Sequence, residues 1–102
     1  MIESPIFIKA YDMLLWIHKH TGNYPKQERF RLAKKIDDTA FEFYEKLICT
    51  AIQENRGDNL TEADIMLRKL TILCRIAKDS SYMTSNQYLF ISEKLVELGK
   101  MI

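Results

Sequence analysis

YPKQERFRLAKKIDDTAFEFYEKLICTAIQEN, residues 24–55, is the stretch that decides the fold. Pro25 stands where the first turn of a helix tolerates proline, and Gly57 is a typical residue at a helix end. Between them, apolar side chains recur every three or four residues, which places them on one face of a helix. These side chains are Phe30, Ala33, Ile36, Ala40, Phe43 or Tyr44, Leu47 and Ala51. The stretch therefore predicts one helix over residues 26–55, roughly 40 Å long.

Charge divides this predicted helix into a basic start and an acidic middle. The basic start carries Lys26, Arg29, Arg31, Lys34 and Lys35. The acidic middle carries Asp37, Asp38, Glu42 and Glu45. Cations at a helix N-terminus oppose the helix dipole, so they do not help the helix to form. Two interpretations stay open: the cations solvate an exposed face, or they bind a polyanion such as RNA.

Composition favours a single all-α domain. The chain has 102 residues, of which 47% are apolar and 28% charged, with three glycines and two prolines. So few turn-forming residues favour long helices over a β fold. The net charge of +1 argues against a general nucleic-acid coat but permits a basic patch on one side. No apolar run approaches the roughly 20 residues that span a bilayer, and the first residues do not resemble a signal peptide, so we expect a cytoplasmic protein.

Three further helices are expected, over residues 5–20, 61–78 and 85–101. Ser4 followed by proline resembles a helix start, and Thr61 and Thr84 each begin a segment that resembles a capping box. The core positions of the last helix are Tyr88, Ile91, Leu95, Leu98 and Ile102. Their spacing is typical of a bundle helix. Four helices with short connections predict an up-down-up-down antiparallel four-helix bundle, with one domain over residues 1–102.

The first helix is apolar over more than half of its circumference, although a small bundle needs only a narrower stripe. We therefore expect part of it to contact a second copy of the chain. The residues predicted for this oligomer interface are Ile6, Ile8, Met13 and Trp16. The alternative is that a loop or the end of the chain covers the excess apolar surface.

A second basic group lies in the third helix. Arg68 and Lys69 lie at its middle and Arg75 lies in its last turn. Basic side chains near a helix C-terminus favour the helix dipole, so they are either structural or part of a nucleic-acid surface. Both interpretations stay open.

The residue types that carry catalysis or bind metals are not grouped in this sequence. Cys49 and Cys74 lie at or beside core positions and are expected to be reduced. His18 and His20 are two residues apart, whereas helical metal pairs prefer a spacing of four. There is no Glu-x-x-His pair of the di-iron type, no glycine-rich phosphate loop and no nucleophile elbow. We expect no catalytic residue, no metal site and no cofactor, so the protein is not predicted to be an enzyme.

Taken in order, several short motifs resemble the accessory variability determinant (Avd) proteins of diversity-generating retroelements. The matching segments are residues 5–12, 14–16, 24–26, 29–30, 32–33, 36–37, 40, 43–45, 67–68, 73, 75–77, 87–88 and 98–99. Each motif is weakly specific alone, but together they cover nearly the whole chain.

The resemblance implies a four-helix bundle that assembles into a homopentameric barrel and has no catalytic activity. It implies binding to the retroelement's reverse transcriptase and association with RNA or DNA, in support of mutagenic cDNA synthesis. The residues expected to bind these partners are Lys26, Arg29, Arg31, Lys34, Lys35, Arg68, Lys69 and Arg75. Avd proteins are described as strongly basic, so the net charge of +1 makes template RNA or cDNA a weaker expectation than the polymerase.

Two other functions fit the same pattern. One is an oligomeric four-helix interaction protein of the kind encoded in ribosomal RNA intervening sequences, without a reverse transcriptase partner. The other is a plain interaction module with no nucleic-acid role. Specific retention of a reverse transcriptase, and binding that weakens with salt, distinguish the three.

Overall fold

The computed structural model describes residues 4–52 and 56–102, and the side chain of residue 56 is not among those described. Within these residues the chain is all-helical, with no strand. The α-helices are α1 (Pro5–Thr21), α2 (Leu32–Ile52), α3 (Arg56–Asp79) and α4 (Ser85–Met101). A short 3-10 helix, Lys26–Glu28, lies between α1 and α2.

The helices form an antiparallel bundle in which each packs against two neighbours: α1 against α2 and α4, and α3 against α2 and α4. The pairs run in opposite directions, since His18 at the end of α1 contacts Asp37 early in α2. Likewise, the ring of Trp16, which is late in α1, lies against Phe90, which is early in α4, so these two helices are also antiparallel. The up-down-up-down four-helix bundle predicted from the sequence is confirmed for the described residues.

The core lies along the bundle axis and follows the predicted periodicity. Phe43, Ile17, Ile36, Leu70 and Ile91 are among its largest fully buried side chains. Every helix therefore contributes to one core cluster. At about 1.5–3 kcal/mol for each large apolar side chain removed from water, this cluster is the main source of the fold's stability.

The predicted helix over residues 26–55 is wrong at its start. Only the 3-10 helix occupies its first turn, residues 29–31 form turns, and α2 begins at Leu32. Glu28 is 8% exposed, and its carboxylate accepts a hydrogen bond of 3.4 Å from the amide of Leu32, an amide that has no partner inside a helix beginning there. Phe30, predicted to be in the core, is 83% exposed. The predicted end at residue 55 lies outside the described residues.

The predicted start of the third helix is also wrong. α3 already includes Gly57, which was expected to end the preceding helix, and Thr61 lies inside α3. Instead of capping a helix, the Thr61 hydroxyl donates a hydrogen bond of 3.0 Å to the carbonyl of Gly57. The predicted capping box of α4 is confirmed, since Thr84 and Gln87 each bond the other's backbone amide. Ser4 precedes α1 as predicted, but its side chain makes no cap bond.

Candidate nucleic-acid and partner-binding groove

An open groove of about 600 Å³ runs between the first half of α2 and α3. We call it the α2–α3 groove. Its lining residues are Phe30, Arg31, Lys34, Lys35, Asp38, Thr39, Glu42, Lys69, Ile72 and Leu73. The antiparallel packing of the two helices therefore brings together four of the eight cations that the sequence predicted as binding residues, although one of them lies more than 30 positions from the others.

The cations of the groove differ in whether they are already paired. Lys34 Nζ lies 2.5 Å from an oxygen of Asp38, and Arg31 Nη1 lies 3.3 Å from Glu28. The hydrogen bond to Asp38 raises the pKa of Lys34, so this amine stays protonated at any physiological pH. Lys35 and Lys69 make no ion pair within residues 4–52 and 56–102. These two lysines are therefore free to meet an anionic ligand without first losing a partner.

A second cavity of about 370 Å³ adjoins the groove and shares Phe30 and Lys34 with it. Arg29 lines this cavity, together with residues of the α1 end such as His18. The His18 Nδ1 atom lies 2.9 Å from a carboxylate oxygen of Asp37. The Phe30 side chain thus stands on the border of two adjoining cavities, each of which has at least two cations in its lining.

The other predicted binding cations lie outside both cavities. Lys26 is exposed in the 3-10 helix. Arg68 pairs with Asp64 at 3.0 Å, and Arg75 Nε lies 3.9 Å from Asp79. Both arginine pairs are one turn apart on α3 and strongly solvated, so they add little to stability. The structure therefore divides the eight predicted cations into four in the groove, Arg29 in the adjoining cavity and three elsewhere.

Sequence reasoning placed Phe30 in the core and did not assign Ile72 to any surface. In the structure Ile72 is 62% exposed and lines the groove beside Lys69. The sequence contained a signal for both residues. Phe30 lies between two predicted binding cations, and Ile72 lies three residues from Lys69 and from Arg75. The aromatic and aliphatic part of the groove was therefore missed, although its charges were not.

The residues predicted for an oligomer interface fall into three different environments. Ile8 is 52% exposed and available to a second subunit. Ile6 and Trp16 are half-buried against the core. Met13 is 2% exposed because it faces the interior between α1 and its neighbours, so its prediction as an interface residue is corrected.

Outside the two cavities, the side chains that carry reactive groups serve the packing of the bundle. Cys49 and Cys74 are both free thiols, and burial raises the pKa of Cys74 to about 12. Burial also raises the pKa of the Tyr24 hydroxyl, which lies 2.9 Å from His20 Nε2. Both Cys74 and Tyr24 are thus protonated and unreactive at neutral pH.

The part of the chain that the structure describes offers no group of three or more His, Cys, Asp or Glu side chains that could hold a metal ion. None of its helices combines the length and the hydropathy needed to cross a membrane. The geometry instead brings cations, an exposed aromatic ring and aliphatic side chains together in one groove.

One family model, described as bAvd-like, matches residues 5–102. No curated protein and no solved structure matches the chain. The matched residues include all four helices, the α2–α3 groove and its adjoining cavity. They also include the motifs on which the resemblance to Avd proteins was based. The chain therefore belongs to the bAvd-like family.

Proposed function

We propose that this protein is a non-catalytic accessory subunit of a diversity-generating retroelement. In this role it binds the element's reverse transcriptase, together with template RNA or cDNA, and so supports mutagenic cDNA synthesis. Family membership supports the accessory role. The cytoplasm is the proposed location, as the compartment in which polymerase and template meet.

The observation that carries this proposal is the α2–α3 groove. Its lining combines four cations with Phe30, Ile72 and Leu73, against two carboxylates. Such a surface suits a partner with negative charge and flat or apolar groups, as nucleic acids and the proteins bound to them have. A net charge of only +1 is compatible with this role, because the positive charge is concentrated where the helices form the groove.

The proposed assembly is a homopentamer, and the outer face of α1 is its proposed subunit contact. Ile8, Tyr11 and Leu15 are 52%, 53% and 39% exposed and recur at helical spacing along this face. Such a row of apolar side chains is typical of a surface that another chain covers. The number five comes from the family resemblance. Native mass spectrometry tests it: a pentamer is expected for the wild type, and a smaller species for Ile8→Asp.

Co-purification with the retroelement's reverse transcriptase at low and high salt tests the accessory role. A stable complex is expected at low salt, and its loss at high salt measures how much of the contact is electrostatic. The matched variants are Lys35→Glu with Lys69→Glu in the groove, and Lys19→Glu with Lys100→Glu outside it. We expect the first pair to weaken the complex more than the second. If a folded oligomer retains no polymerase at low salt, the accessory role is refuted in favour of an interaction protein of the ribosomal RNA intervening-sequence type.

A further inference from the structure

Phe30 has the most exposed large apolar side chain in the part of the chain that the structure describes, at 83%. It does not lie on a loose segment. The amide of Arg29 bonds the carbonyl of Lys26 at 3.3 Å, and the amide of Arg31 bonds that of Glu28 at 3.2 Å. These bonds fix the backbone on both sides of Phe30, so the ring is held in solvent by an ordered turn.

The immediate surroundings of this ring are cationic. Arg29 and Arg31 flank Phe30 in the sequence, and each lines one of the two cavities that meet at the ring. Lys34 lines both cavities, and Lys35 and Lys69 continue the positive charge along the α2–α3 groove. An aromatic face beside a row of cations is the arrangement with which proteins hold single-stranded nucleic acid.

Two of the carboxylates that line the cavities beside the ring already have a side-chain partner. Asp37 lies 2.9 Å from His18, and Asp38 lies 2.5 Å from Lys34. Arg29, like Lys35 and Lys69, makes no ion pair among the described residues. Over the two linings together, five lysine and arginine side chains outnumber the carboxylates of Asp37, Asp38 and Glu42, so the charge that a ligand meets beside Phe30 is positive.

We propose that Phe30 is a base-stacking platform for single-stranded nucleic acid, with Lys35 and Lys69 binding the backbone phosphates on the groove side. An unpaired base exposes both of its faces, whereas a duplex buries them in its own stack, so the ring discriminates single strands from duplexes. This inference rests on the nucleic-acid part of the proposed function. It adds the class of nucleic acid and the residue that selects it.

An amphipathic protein helix suits this groove less well. Such a helix needs a continuous apolar floor into which its side chains can pack. Only Phe30, Ile72 and Leu73 among the ten lining residues are apolar, and the other seven are polar or charged. Charge complementarity and the isolated ring favour a chain of bases and phosphates as the occupant.

Fluorescence anisotropy on the full-length protein tests the proposal. The probes are labelled oligo(U) and oligo(dT) of about 12 nucleotides, and a hairpin duplex of similar length. Phe30→Leu keeps an apolar side chain but removes the aromatic face. The matched control is Phe41→Leu, which changes a partly exposed phenyl ring of α2 that lines neither cavity. Equal affinity for oligo(U) and oligo(dT) indicates that the protein recognises bases and phosphates without reading the sugar. A higher affinity for oligo(U) indicates that template RNA is the ligand.

The dissociation constant of Phe30→Leu for the single strands is expected to rise roughly 5- to 150-fold, the range that loss of one base–aromatic stack produces. Duplex binding is expected to stay unchanged, and Phe30→Tyr to bind single strands as the wild type does. Thermal unfolding by circular dichroism checks that each variant is folded.

Unchanged single-strand binding by Phe30→Leu would overturn the proposal, as would an equal loss for single strands and duplex. Absence of oligonucleotide binding by the wild type would also overturn it, while a polymerase complex in the co-purification experiment would still support the accessory role. Failure to retain the polymerase, with single-strand binding that depends on Phe30, would refute the accessory role alone.

Discussion

Replacing the two unpaired lysines of the α2–α3 groove, Lys35→Gln with Lys69→Gln, is expected to reduce the salt dependence of single-strand binding by a calculable amount. Each phosphate neutralised on a single strand contributes about −0.7 to the slope of log affinity against log salt concentration, so two lysines contribute about −1.4. Between about 50 and 200 mM salt, this difference makes the wild type lose roughly sevenfold more affinity than the double variant. Lys34→Gln is expected to change the slope less, because Lys34 must leave Asp38 before it can bind a phosphate.

Fluorescence anisotropy with labelled oligo(U) at four or more salt concentrations measures these slopes. The control is Lys19→Gln with Lys100→Gln, which removes the same charge from exposed positions that line neither the groove nor its adjoining cavity. The control is expected to keep the wild-type slope. If both double variants reduce the slope equally, the protein's net charge rather than the groove attracts the nucleic acid, and the assignment of Lys35 and Lys69 is refuted.

Three further predictions concern stability and are measured by urea unfolding. Leu95→Ala is expected to lower the free energy of unfolding by about 2–5 kcal/mol, because Leu95 is 2% exposed and its loss leaves a cavity; a cost below about 1 kcal/mol would contradict its place in the core. Ser92→Ala is expected to raise that free energy by about 1 kcal/mol, because the buried Ser92 hydroxyl has no hydrogen-bond partner in the described part of the chain; destabilisation would indicate a partner. Burial lowers the pKa of His20 below its ordinary value of 6.5, so protonation favours the unfolded chain, and stability is expected to fall as the pH drops below that value. His20→Gln is expected to remove this decline and His18→Gln to keep it; a decline unchanged in both would assign it to other groups.

The sequence predicts α4 better than any other helix because its signals are local. The Thr84 hydroxyl and the Gln87 side chain cap the helix through atoms three residues apart, and both the start and the end of α4 are confirmed. At α3 the same kind of signal is misleading, since Thr61 satisfies its hydroxyl inside the helix. Gly57 has no positive φ, and a side chain at that position would meet open space, so nothing in its surroundings requires glycine or stops the helix there. A cap motif therefore predicts a helix start only when the preceding residues cannot themselves continue the helix.

Part of the excess apolar surface of α1 is covered within the subunit by the neighbouring helices. Met13 lies beside Trp16 in a cavity between α1 and α4, and the Trp16 ring stacks on His20 and contacts Phe90. Since α1 packs against both α2 and α4, it buries a wider apolar stripe than a contact with one helix needs. The exposed Ile8 is not explained in this way. Periodicity gives the width of an apolar stripe, but it cannot separate the part covered within one subunit from the part left for another.

The break before α2, which periodicity could not predict, is what creates the candidate site. In a continuous helix Phe30 would lie one turn from Ala33, on the face that enters the core. Because Glu28 holds the turn and α2 starts only at Leu32, the ring points into solvent instead and forgoes about 1.5–3 kcal/mol of burial. Positions where a chain departs from its own local pattern at such a cost are often functional. The cations beside Phe30 are those that oppose the dipole of a helix beginning at residue 26, so the charge that disfavours a longer helix is the charge that surrounds the exposed ring. The basic residues 26–35 and the exposed Phe30 ring thus both belong to the break before α2. Together they argue more strongly for a nucleic-acid surface than the net charge of the chain does.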